Sequence, residues 1–220
     1  KETSVKRKKT NHIIGIMIFL TCLISAAWSQ AQPRTSSGNE ESLAQIEQAI
    51  YAAKKNLDIL DKEVDAEKNF YEEEVRQQKI YRTQMNSLRN FLIVPEIRIS
   101  VLEKEIGEVD ISLSLIQSRI QKMNEREKKV GQNYSSIKEK ISLIDQRISE
   151  LTASKGEITS REPVIKALKE FREITGKQEK SLLNITELLS LEIKINNDLF
   201  DAFQDIKLTL KTEIKDKKGE

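Results

Sequence analysis

Few side chains in this sequence are equipped for chemistry. His12, Cys22 and Trp28 are the only residues of their kinds, and all three fall within the first 31 positions. Beyond them the chain has no imidazole and no thiol, so a Cys/His zinc site, a histidine-based triad and a thiol nucleophile are all excluded there. A disulfide is excluded as well. Carboxylates are everywhere, and acid/base work needs two of them in a concave site that drives their pKa values apart. Ser–Lys pairs face the same requirement. The polar residues that stand out do so by position: Glu67, Glu74, Gln78, Glu127 and Asn196 interrupt an apolar stripe. No catalytic, cofactor-binding or metal-binding residue is assigned, and the chain is expected not to be an enzyme and to take no small-molecule substrate.

The composition says what must position such residues. The chain has 220 residues, 33% of them charged and 5% aromatic, with 7 Gly and 3 Pro. Dense charge with scarce glycine and proline is the profile of long helices. Lys6-Arg7-Lys8-Lys9, the apolar run Ile13–Trp28 and Ser29-Gln30-Ala31 follow one another as the three parts of a secretory signal peptide. An uncleaved anchor is the rival reading, and the run is short for one. Either way the basic flank stays inside and the rest of the chain is exported. Residues 1–31 hold five basic residues (Lys1, Lys6, Arg7, Lys8, Lys9) and one acidic residue (Glu2), leaving 32 basic and 34 acidic side chains after them. The remainder is nearly neutral with both signs interspersed, so nucleic-acid binding is not expected.

Residues 32–42, with Pro33 and Gly38, read as a flexible lead-in. From Leu43 a 3,4 spacing begins and persists through Ile46, Ile50, Ala53, Leu57, Leu60, Val64, Tyr71, Tyr81, Met85, Leu88 and Leu92. It resumes from Ile99 to Leu151, nearly all isoleucine, leucine and valine. A seven-residue repeat held this long marks a coiled-coil seam. The break between the two stretches falls at Pro95, which lacks an amide donor and disfavours helix before it. A hairpin is favoured there because it lets one chain bury both seams. A kinked continuous helix is the alternative, since Leu92 to Ile99 is one whole heptad and no turn residue is present.

Ala153-Ser154-Lys155-Gly156 looks like a helix end, and Thr159 and Glu162 are spaced as a capping box before Pro163. A third helix is expected over 164–214, with Val164, Leu168, Phe171, Leu182, Ile185, Leu189, Leu199, Phe203, Ile206 and Leu210 on its stripe. Thr175, Gln178, Glu192 and Asn196 fall on the same stripe and weaken it. Residues 215–220 read as a tail without a stop signal. The expected fold is all-α: a long antiparallel coiled coil, or an extended three-helix bundle, after an N-terminal signal peptide.

Glu67, Glu74 and Gln78 occupy three of four successive seam positions. They either set the register, as polar core residues do at a cost in stability, or mark a weak stretch where a partner docks. Asn196 has the character of a register-fixing asparagine, and Glu127 is placed to pair with a basic residue of a facing helix. The sequons at Asn133-Tyr134-Ser135 and Asn184-Ile185-Thr186 sit mid-helix and are expected to be accidental. Gly107, Gly131 and Gly176 lie inside helices, as flex points or close contacts.

A signal peptide, long helices through 43–151, and a helix opening Glu162-Pro163-Val164-Ile165-Lys166-Ala167-Leu168 occur together here. That helix continues through Leu182-Leu183-Asn184-Ile185-Thr186-Glu187-Leu188-Leu189-Ser190-Leu191 and Asn197-Asp198-Leu199-Phe200-Asp201-Ala202-Phe203. The whole resembles the periplasmic N-terminal extension of the large bacterial mechanosensitive channels of the small-conductance type. The resemblance implies a sensor-side region whose membrane domain is contiguous in the full-length chain, with no conduction of its own. The alternative is a free periplasmic coiled-coil adaptor or cell-wall-hydrolase activator. In either case the partner is a protein, or another copy of the chain, met through the helices.

Overall fold

A computed structural model describes residues 38–92, 97–153 and 161–219. They form three helices: α1 Gly38–Leu92, α2 Ile99–Ala153 and α3 Glu162–Lys218. The described residues contain no strand, and the fold is an all-α three-helix bundle. The leader-like segment 1–31, Pro95 and the Thr159 cap lie outside the described residues.

The contacts divide the chain into two compact units. Unit 1 takes α1 up to Lys62, α2 from Gln132 and α3 up to Leu183. Its core gathers Ile46, Ile50 and Ala53 of α1, Ile144 of α2, and Val164, Leu168 and Phe171 of α3. Lys54 and Asp61 of α1 meet Glu170 and Ser181 of α3 in the same order along both helices, so these two run parallel.

Unit 2 comprises Glu63–Gly131 and the chain from Asn184. Met85 of α1, Leu102, Val109, Leu113 and Ile116 of α2, and Leu199, Phe203, Ile206 and Leu210 of α3 form its core. Glu67 meets Arg126 and Glu74 meets Arg119, so α2 runs against α1. A continuous kinked helix would hold Glu67 and Arg126 about 90 Å apart, and the chain has taken the hairpin. Asn196 contacts Glu74 and Phe203 stacks edge-on with Tyr81, one heptad further along both helices. This in-phase repeat is what the 3,4 spacing is for.

The helix ends differ from expectation in three places. α1 starts at Gly38 rather than after residue 42, since the residues between hold no proline to stop it. α3 begins at Glu162, because Pro163 is tolerated in a first turn whose amides have no intrahelical partner. It also runs to Lys218 instead of 214. Lys215, Lys217 and Lys218 in its last turn suit the negative end of the helix dipole. Gly219, at φ +73°, then ends it with its amide donating to the Asp216 carbonyl. A stop signal was therefore present in the tail.

Every stripe position of α3 is buried, including Thr175, Gln178, Glu192 and Asn196. By contrast, a Cβ built at Gly107 or Gly131 meets nothing within 4 Å. Neither glycine is kept small by a close helix contact. Replacing either with alanine is expected to stabilise the fold by ~0.5–1 kcal/mol, through helix propensity. Thermal melts of the two single variants check this, with a rise of about 1–4 °C each.

Candidate functional site

Four of the polar residues on the stripe, Glu67, Glu74, Glu192 and Asn196, come together in unit 2, with Glu63, Arg119 and Arg126 beside them. Glu63, Glu67 and Glu74 enter from α1, Arg119 and Arg126 from α2, and Glu192 and Asn196 from α3. Glu67 and Asn196 are fully buried, Glu192 is 2% exposed, and Glu63 and Glu74 are also buried. The residues lie along the inner edges of helices whose heptads put them there, between Val109–Ile116 and Leu199–Leu210 on one side and Val130 on the other.

Arg126 reaches Glu67 at 2.5 Å, and Arg119 lies 3.6 Å from Glu74. The Asn196 amide donates to Glu74 Oε2 at 3.2 Å and to the Glu192 backbone carbonyl at 2.9 Å. The Glu192 carboxyl lies near enough to those of Glu67 and Glu74 to feel their charge. Among the described residues, no donor approaches Glu192 Oε1 or Asn196 Oδ1, both buried.

Burial, then the charges of Glu67 and Glu74, push the Glu192 carboxyl up to about 8 against the pull of Arg126. Burial also raises Glu63, opposed by Arg126 and reinforced by Glu67. Glu192 therefore holds its proton near neutral pH, inside a helix seam. Among the described residues, no group of three or more acidic, histidine or cysteine side chains is arranged to hold a metal ion.

Of the residues singled out by position, Glu67, Glu74 and Asn196 are brought together. Gln78 is half-buried and Glu127 likewise. The guanidinium that enters from α2 belongs to Glu127's neighbour, Arg126. Arg119, Arg126 and Glu63 flank the stripe and carried no signal of their own. Their roles follow from which residues the hairpin sets opposite one another.

Unit 1 carries a quieter polar layer. Gln178 donates to the Ala53 carbonyl at 2.8 Å, and the Thr175 hydroxyl to the Phe171 carbonyl at 2.7 Å. A cavity of about 30 Å³ lies against Ala49, Ala53, Asn133, Lys140 and Gln178, room for one or two waters. Burial lowers the Lys140 amine below its ordinary value. Asn133, the first sequon residue, is half-buried at this wall, and Asn184 is half-buried too.

Comparison with protein-family models, with curated proteins and with solved structures finds no match for this chain.

Proposed function

We propose that this chain is a non-catalytic, exported helical scaffold, the periplasmic extension of a mechanosensitive channel of the small-conductance type. The observation that carries the scaffold reading is the seam. In both units three helices fill it with apolar side chains, and the polar residues it buries in unit 2 include the pairs Arg126–Glu67 and Arg119–Glu74. The channel reading rests on the resemblance of the helices around Glu162–Leu168 and Leu182–Phe203, and export on the segment Lys6–Ala31. Among the described residues, no helix is long and apolar enough to cross a membrane, so membrane attachment would come from chain outside them.

A second reading, the free adaptor, draws on α2. Ile111 and Leu115 lie one turn apart and are 63% and 54% exposed, a small apolar step for a partner helix.

Reading the coding sequence beyond Glu220 separates the two. Several apolar runs of about 20 residues support the channel, and a stop codon or a globular domain overturns it in favour of the adaptor. Export is tested by fusing residues 1–60 to a phosphatase active only outside the cytoplasm. Activity is expected, and an inactive fusion removes the exported scaffold.

A further inference from the structure

Four carboxyl groups and two guanidiniums share the buried layer of unit 2: Glu63, Glu67 and Glu74 from α1, Arg119 and Arg126 from α2, and Glu192 from α3. Arg126 is committed to Glu67, and Arg119 with Asn196 to Glu74. Among the described residues, Glu192 forms no ion pair. It feels the charge of Glu67, and a carboxylate has no hydrogen to donate. Two ionised carboxylates in contact inside a seam would repel in a low-dielectric setting, with Glu192 Oε1 meeting no donor. One proton between them turns that repulsion into a hydrogen bond.

We propose that the Glu67–Glu192 contact is a proton-binding site built into the seam, and that loss of its proton loosens α3 from α1 between Glu67 and Asn196. The proton goes to solvent, and Glu192 becomes a carboxylate that must share Arg126 with Glu67 and Glu63. The proposal stands whether or not the chain belongs to a channel.

The direction of the effect follows from linkage. The Glu192 value of about 8 lies above the ordinary 4.5. Between those two values the folded chain holds a proton that the unfolded chain has released. Stability from this group is therefore full below pH 4.5, declines as pH rises, and is gone above 8.

The test uses the full chain and two readouts. In a carbon-13 titration of the glutamate carboxyls, one resonance is expected to move near pH 8 in the parent and to be missing in Glu192→Gln. Melting temperature is expected to fall by about 5–10 °C from pH 6 to pH 9 in the parent. In Glu192→Gln, whose amide still donates to Glu67, the fall should be much smaller. A parent whose carboxyls all titrate below pH 6 overturns the proposal, as does a Glu192→Gln variant with the parent's pH dependence. Should that variant not fold, backbone exchange in the parent over residues 184–199 decides. A protection factor about tenfold or more lower at pH 8 than at pH 6 supports the site, and an unchanged one refutes it.

Discussion

Arg126→Met is expected to melt roughly 10 °C below the parent at pH 7, a loss of about 3–5 kcal/mol. Arg126 is the cation closest to Glu67, itself fully buried, and its charge also holds down Glu63 and Glu192. Methionine keeps much of the stem's volume but leaves the Glu67 carboxylate facing other carboxyls without compensation. That penalty is far larger than the net contribution of the pair, because the charge cannot escape to water. Lowering the pH to 5 should shrink the deficit as the carboxyls take up protons. A melt at both pH values checks the claim, and a loss of under about 2 °C at pH 7 contradicts it. Lys54 offers the contrast: its 2.8 Å pair with Glu170 is exposed on both sides, and Lys54→Ala should cost no more than about 1 kcal/mol.

Phe203→Ala should be equally damaging for an unrelated reason. The ring is 2% exposed within the unit 2 core, and it meets Tyr81 edge-on, with centroids 5.6 Å apart at 85°. Removing it deletes buried apolar area, leaves a cavity and breaks the aromatic contact, a sum of ~3–5 kcal/mol. Phe203→Leu, which refills most of the space, should lose about 1–2 kcal/mol. Leu208, five residues along the same helix, is 65% exposed. Its alanine variant should fall within about 0.5 kcal/mol of the parent. Denaturant melts of the three variants give the order, and a Leu208 loss comparable to that of Phe203 would contradict the assigned faces.

The seam was legible because a repeat of seven needs only the order of residue types along one helix. Leu102, Ile116, Leu168 and Leu210 lie where the spacing puts them. The hairpin was legible as a preference, since Pro95 marks the break but the unchanged register suits a kink as well. The charged layer was only half legible. Glu67, Glu74 and Asn196 show themselves by falling on an apolar stripe. Arg119 and Arg126 do not, because many basic residues flank the stripe and the hairpin alone decides which two stand opposite Glu74 and Glu67. The raised Glu192 value was out of reach for the same reason, since its causes sit on α1 and α2. Gly219 is readable in the sequence as a helix stop. A glycine after Lys215, Lys217 and Lys218 is the ordinary way to finish a helix.

At the centre of this account, the charged layer of unit 2 is the soft part of a mostly apolar seam. Backbone hydrogen exchange of the full chain at pH 7 tests that most directly. Amides over residues 67–78, beside Glu67 and Glu74, are expected to exchange faster than those over residues 137–148, where Ile137, Ile141 and Ile144 are buried. Equal protection in the two stretches, once corrected for intrinsic rates, would mean that the buried charges weaken nothing, and would contradict the account.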